Sequence, residues 1–104
     1  MNRVTIELWT ELSNELESDF VSLSATRSRK EEEIRKGTTI REFLDHLAKC
    51  YPSIARKVYD TEARRLYPHI VLNYNDRVTS PYTVYDQVLN DGDKISILPM
   101  YMGG

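Results

Sequence analysis

The stretch that decides the fold is Leu89–Gly104, "LNDGDKISILPMYMGG". It opens as a tight turn, because Gly92 can take the positive φ that other residues avoid and the flanking Asn90, Asp91 and Asp93 can bond their own backbone. Lys94 to Met100 then alternates, with Ile95, Ile97 and Pro99 on one face and Ser96 and Leu98 on the other. That period of two predicts a last strand. Beyond it the chain runs through "MYM" to Gly103 and Gly104.

Upstream, the first apolar run has the same period. In "RVTIELW", Val4, Ile6 and Leu8 alternate with Arg3, Thr5 and Glu7, which predicts a first strand with one buried face. Val21, Leu23 and Ala25 alternate with Ser22 and Ser24 and predict a second half-buried strand. Residues 27–37, "RSRKEEEIRKG", are nearly all charged apart from Ile34 and read as a solvated hairpin or loop, with Glu32–Lys36 as an alternative extension of the sheet. A helix follows. Thr38 or Thr39 can cap it, and Ile40, Phe43, Leu44, Leu47, Ala48 and Tyr51 fall at helical spacing opposite Arg41, Glu42, Asp45 and Lys49. Pro52 ends it.

Residues 53–66 could form a second short helix around Ile54 and Val58. From Tyr67 onward the chain returns to strands: "HIVLNYN" is rich in β-branched and aromatic residues, and "NDR" supplies a turn. Val84, Val88 and Leu89 suggest one short helical turn before the last strand. The order is strand, strand, helix, two strands, helical turn, strand, which makes an α+β domain with its main helix on one face of a mixed sheet.

Composition limits what such a domain does. The 104 residues are enough for one domain, 1–104, with a core over about 1–99 and 100–104 as an extended functional tail. At 40% hydrophobic and 29% charged the chain reads as an ordinary soluble globular protein, with no run near the roughly 20 apolar residues of a membrane helix and no signal peptide, so a cytoplasmic location is expected. A net charge of −2 argues against nucleic acid, which demands a concentrated basic surface. The lone Cys50 allows no internal disulfide and no cysteine zinc cluster, and reads as an ordinary, partly buried residue rather than a sulfur-relay thiol. His46 and His69 are too far apart to suggest a metal motif, and Asp91 and Asp93 fit a turn better than acid–base catalysis. No nucleophile, base and orienting group recur at a useful spacing for a self-contained enzyme.

Three segments together carry a family resemblance. "KGTTIREFLDHLAKCYP", "LNDGDKISILP" and the closing Gly103–Gly104, in this order, resemble the MoaD/ThiS family of ubiquitin-like β-grasp sulfur carriers, which include the small subunit of molybdopterin synthase. The resemblance implies a β-grasp fold with a mixed sheet of four to five strands packed on one main helix, and a flexible Gly-Gly tail. It covers the first strand and most of residues 37–104, whereas residues 10–37 are longer and more charged than the family's usual connection.

It also implies a chemistry. A ubiquitin-activating-type adenylyltransferase uses ATP to adenylate the Gly104 carboxylate, and a sulfur donor, either a cysteine desulfurase or a rhodanese-like protein, supplies the sulfur of a thiocarboxylate. No cofactor is bound, and no metal. A large catalytic subunit or another acceptor enzyme then takes the sulfur, with molybdopterin synthesis as the leading pathway and thiamine synthesis or tRNA thiolation as alternatives. A ubiquitin-like modifier conjugated through Gly104 would share the activation step. The residues of interest are Gly104 as the reactive end, with Pro99, Met100, Tyr101, Met102 and Gly103 as the segment that partners contact. Glycines suit a narrow pocket because they have no Cβ, and the six residues from Pro99 reach at most about 20 Å.

Overall fold

The computed structural model of the protein describes residues 1–9, 20–24, 27–80 and 82–99. Its main sheet has six strands in the order β2-β3-β1-β8-β6-β7. These are β1 (Asn2–Leu8), β2 (Val21–Ser24), β3 (Arg27–Ile34), β6 (Ile70–Tyr74), β7 (Arg77–Val78) and β8 (Lys94–Pro99). Because β7 is only two residues long, the architecture is the expected five-stranded mixed sheet with a short edge addition. β8 lies in the interior, parallel to β1 on one side and antiparallel to β6 on the other.

The helix α1 (Ile40–Cys50) covers one face, burying Ile40, Phe43, Leu44, Leu47 and Ala48. Its start is fixed by a capping box: the Glu42 N–H donates to the Thr39 hydroxyl at 3.3 Å and the Thr39 N–H donates to the Glu42 carboxylate at 3.0 Å. Two orphan donors are thereby satisfied together. Backbone bonds from Ile40 to the Gln87 carbonyl and from Leu89 to the Thr38 carbonyl dock the helix start beside the short 3-10 turn Val84–Asp86. Under the helix lie Val4, Ile6, Leu8, Ile95 and Ile97, all fully buried.

Several expectations are corrected. The charged stretch at 27–37 is not a solvated loop: Arg27–Ile34 form the eight-residue β3, antiparallel to β2 as the second arm of a hairpin and antiparallel to β1 from Asn2↔Ile34 to Leu8↔Ser28. Of the alternative extension over Glu32–Lys36, only Glu32–Ile34 lie in the sheet, and 36–37 turn toward the helix. Its odd positions carry charges that bridge to neighbouring strands, while Ser28 and Ile34 turn inward and are buried. The helix expected over 53–66 stops early. After α2 (Pro52–Lys57), a two-stranded hairpin of β4 (Tyr59–Asp60) and β5 (Arg65–Leu66) follows, with Arg64 in the left-handed region at φ 56. The hairpin is pinned to α1, because Asp45 accepts hydrogen bonds from the Tyr59 hydroxyl at 2.6 Å and from Arg64 Nη2 at 2.6 Å. In β2 the alternation inverts: Val21 and Leu23 are 66% and 44% exposed, and it is Phe20 that is buried, edge-on to Tyr51. Ala25 lies outside the described residues.

Candidate tail-exit site

The tail root is built from the turn onward. Gly92 sits at φ +88 and its N–H donates to the Arg3 carbonyl at 2.8 Å, which ties the turn to β1. Asp91 accepts the Arg3 N–H at 2.7 Å. Asp93 is buried and accepts from the Tyr74 hydroxyl at 2.5 Å, from the Asn90 N–H at 2.7 Å and from Asn75 Nδ2 at 3.1 Å. Burial pushes its carboxyl up, but those three donors outweigh it and hold the group below the usual range. Both acids are turn residues, as their spacing suggests.

From this anchor β8 runs to Pro99, which is half-buried opposite Ile70 of β6. On the other side, the Trp9 N–H donates to the Ile97 carbonyl at 2.9 Å, extending the β1 ladder to within two residues of Pro99. Met100, Tyr101, Met102, Gly103 and Gly104 lie outside the described residues. Flanking the exit on the β6 side is a groove of about 700 Å³ whose lining includes Leu66, Tyr67, Ile70, Val78, Tyr82 and Tyr85.

The opposite flank carries charge that the alternating pattern hides. Glu7 is fully buried although it faces away from the helix. Its carboxylate accepts from Arg27, through Nε at 3.1 Å and also through Nη2, and from Arg29 Nη2 at 3.4 Å, with Lys94 Nζ at 3.9 Å. Burial raises its pKa, and the three cations outweigh burial and lower it. The Arg27 guanidinium also lies 4.0 Å over the Trp9 ring. The available signal for this cluster is Arg27 and Arg29, two apart on one strand, together with Glu7 between Ile6 and Leu8 on another; the neighbouring "EEE" masks it.

The remaining candidates lie elsewhere. Cys50 is exposed rather than partly buried, with Sγ 3.7 Å from Nε2 of His46, one helical turn earlier. His46 in turn sits 3.8 Å from the Glu32 carboxylate. His69 stacks on Tyr67 with ring centroids 6.2 Å apart. Among the described residues no three His, Cys, Asp or Glu side chains group as a metal site, and no helix is long and apolar enough to cross a membrane.

A mixed sheet closed over one capped helix, with an interior last strand delivering the chain's final residues, defines a ubiquitin-like β-grasp protein. The family model of the ThiS family matches residues 20–104, and the chain belongs to this family of ubiquitin-like sulfur carriers. No curated protein matches the sequence. Solved structures do match in fold. Small archaeal modifier protein 1 of Haloferax volcanii superposes with TM-score 0.71 at 17% identity, covering 97% of this chain and 100% of that one. A putative molybdopterin converting factor, subunit 1, from Pyrococcus furiosus gives TM-score 0.65 at 17% identity, over 97% of this chain and 100% of that one. A structure of the Amycolatopsis orientalis BexX/CysO complex gives TM-score 0.65 at 24% identity, over 97% of this chain and 99% of the matched chain.

Proposed function

We propose that this protein carries sulfur on its own terminus: a separate ubiquitin-activating-type enzyme adenylates the Gly104 carboxylate, a sulfur nucleophile displaces AMP, and the resulting thiocarboxylate serves molybdopterin synthesis through a large catalytic subunit. The observation that supports this is the placement of β8. An interior strand bonded on both sides fixes Pro99 to the body of the domain, so five residues, ending in two glycines without Cβ atoms, are left to reach a partner's active site. The likeness in fold to a putative molybdopterin converting factor subunit favours that pathway.

A second reading, a protein modifier conjugated through Gly104, is favoured by the likeness to the archaeal modifier protein. Intact mass spectrometry separates them. After incubation with an activating enzyme, ATP and a sulfur donor, the carrier gains the mass of sulfur minus oxygen, whereas a modifier forms higher-mass adducts with other proteins. An unchanged mass, under conditions that convert another carrier, overturns the carrier reading. Deleting Gly103 and Gly104 should abolish the shift while leaving thermal stability unchanged, since the core cluster of the described residues is built between Val4 and Ile97.

A further inference from the structure

We propose that Arg27, Arg29 and Trp9 form a cationic docking surface beside the tail exit, and that the protein receiving the tail presents carboxylates to it. This rests on the reading of the tail as the group handed over, and it gives a role to the charged segment at 27–37.

The register places the charges. β3 runs antiparallel to β1, so its basic half pairs near Leu8 while Glu31 and Glu33 pair near Thr5 and Arg3. β8 runs parallel to β1, with Leu8 opposite Ile97. The basic half of β3 therefore lies at the end of the sheet where the chain leaves β8. The Trp9 N–H bonded to the Ile97 carbonyl fixes the Arg27–Trp9 stack next to that exit.

Among the described residues the charge there is in excess: two guanidiniums share the single Glu7 carboxylate and the Lys94 ammonium has Asp76 at 3.1 Å, which leaves one positive charge over in that set. At the other end, Glu31 and Glu33 are engaged by Arg3 at 3.8 and 3.3 Å. Glu7 is sealed from solvent, while the Arg27 and Arg29 side chains stay 38% and 48% exposed. The buried acid thus holds both guanidiniums in position without using up all their donors. Five N–H groups per guanidinium, in a planar fork, suit carboxylates, and side chains already held in place lose little entropy on docking. Val21, paired with Arg29 and 66% exposed, adds apolar contact area alongside. Two arginines on a chain of net charge −2 give too small a basic footprint for a phosphate backbone, which favours a protein partner.

The test uses the full chain and a purified ubiquitin-activating-type enzyme of the carrier class, with binding read by calorimetry and conversion by intact mass. Arg29→Gln is the informative variant, because Arg27 and Lys94 still face Glu7 and the fold is retained. At low salt it should weaken binding roughly tenfold, the loss of about one charge-assisted contact. Arg29→Lys should recover most of this, and Glu33→Gln should bind as the wild type does. At about 1 M salt, where screening shortens to about 3 Å, the difference should close. Wild-type binding by Arg29→Gln at low salt, a loss that salt does not reduce, or no binding by any form overturns the proposal. So does tight binding to a single-stranded oligonucleotide that Arg29→Gln abolishes. A chain that docks through Arg29 but is never converted to a thiocarboxylate would instead overturn the carrier reading and leave the docking surface standing.

Discussion

On the helix side, β1 presents Val4, Ile6 and Leu8, which meet Ile95 and Ile97 of β8 and the apolar stripe of α1. On its other side the same strand presents Arg3, Thr5 and Glu7, and the fully buried one of these is a carboxylate. The helix side is held by removal of apolar surface from water, which is indifferent to salt and to moderate pH. The outer side is held by charges whose partners lie on β3 and β8, so it should respond to both. One sheet therefore has two kinds of stability, and they can be perturbed separately.

The largest effect should come from the helix side. Leu44→Ala removes a fully buried side chain from the α1 stripe and should cost about 2–5 kcal/mol in denaturant unfolding, nearly the same at low and high salt. A salt-dependent loss would break the distinction between the faces.

Glu7→Gln tests the outer side. It leaves two guanidiniums without their carboxylate and should cost about 1–3 kcal/mol at neutral pH. Because the folded pKa of Glu7 is lowered, its contribution is fully present above the unfolded carboxyl pKa and is lost as pH falls through the folded value. The gap between the wild type and Glu7→Gln should therefore close on acidification. A gap that stays constant down to about pH 2 would show that Glu7 acts through packing alone. Asp93 and Asp45, lowered in the same direction, should keep some acid sensitivity in the variant.

Smaller effects sharpen the boundary between the faces. Gly92→Ala should cost about 1 kcal/mol through backbone conformation alone, since an added Cβ meets nothing within 4 Å. Thr39→Ala, which opens the capping box, should cost a similar amount, about 1 kcal/mol, read as a shift in thermal midpoint. Cys50→Ser should change stability by no more than about 0.5 kcal/mol, because the thiol is exposed and belongs to neither face.

The same contrast explains what the sequence made readable. α1 and β8 each combine a clear period with an unambiguous start, a capping threonine in one case and "NDGD" in the other, and both lie where expected. β3 was hidden because its strand character comes from pairing with β1: in isolation, "RSRKEEEI" has no apolar face, and its charges look solvated until the cross-strand partners are known. Glu7 misled for a related reason. Alternation assigns it to solvent, whereas Arg27 and Arg29 on β3 and Lys94 on β8 surround its carboxylate. In β2, the exposed Val21 and Leu23 show the reverse, an apolar alternation with nothing to cover it among the described residues. The 53–66 segment suggests a helix in sequence, but α2 ends after six residues and a left-handed Arg64 turns the chain back, a conformation that arginine gives no cue to. The end of β8 at Pro99 is legible in the sequence, and so are the turn acids at the far end of that strand, whereas the guanidinium pair beside the exit is not.

The interior position of β8 also has a mechanical meaning. A pull on Gly104 along the strand axis loads the β1 ladder and the β6 ladder at the same time, and it loads them in shear, so that many hydrogen bonds must fail together rather than one after another. A load arriving at Pro99 is therefore shared between two ladders, and the domain behind it acts as a rigid handle.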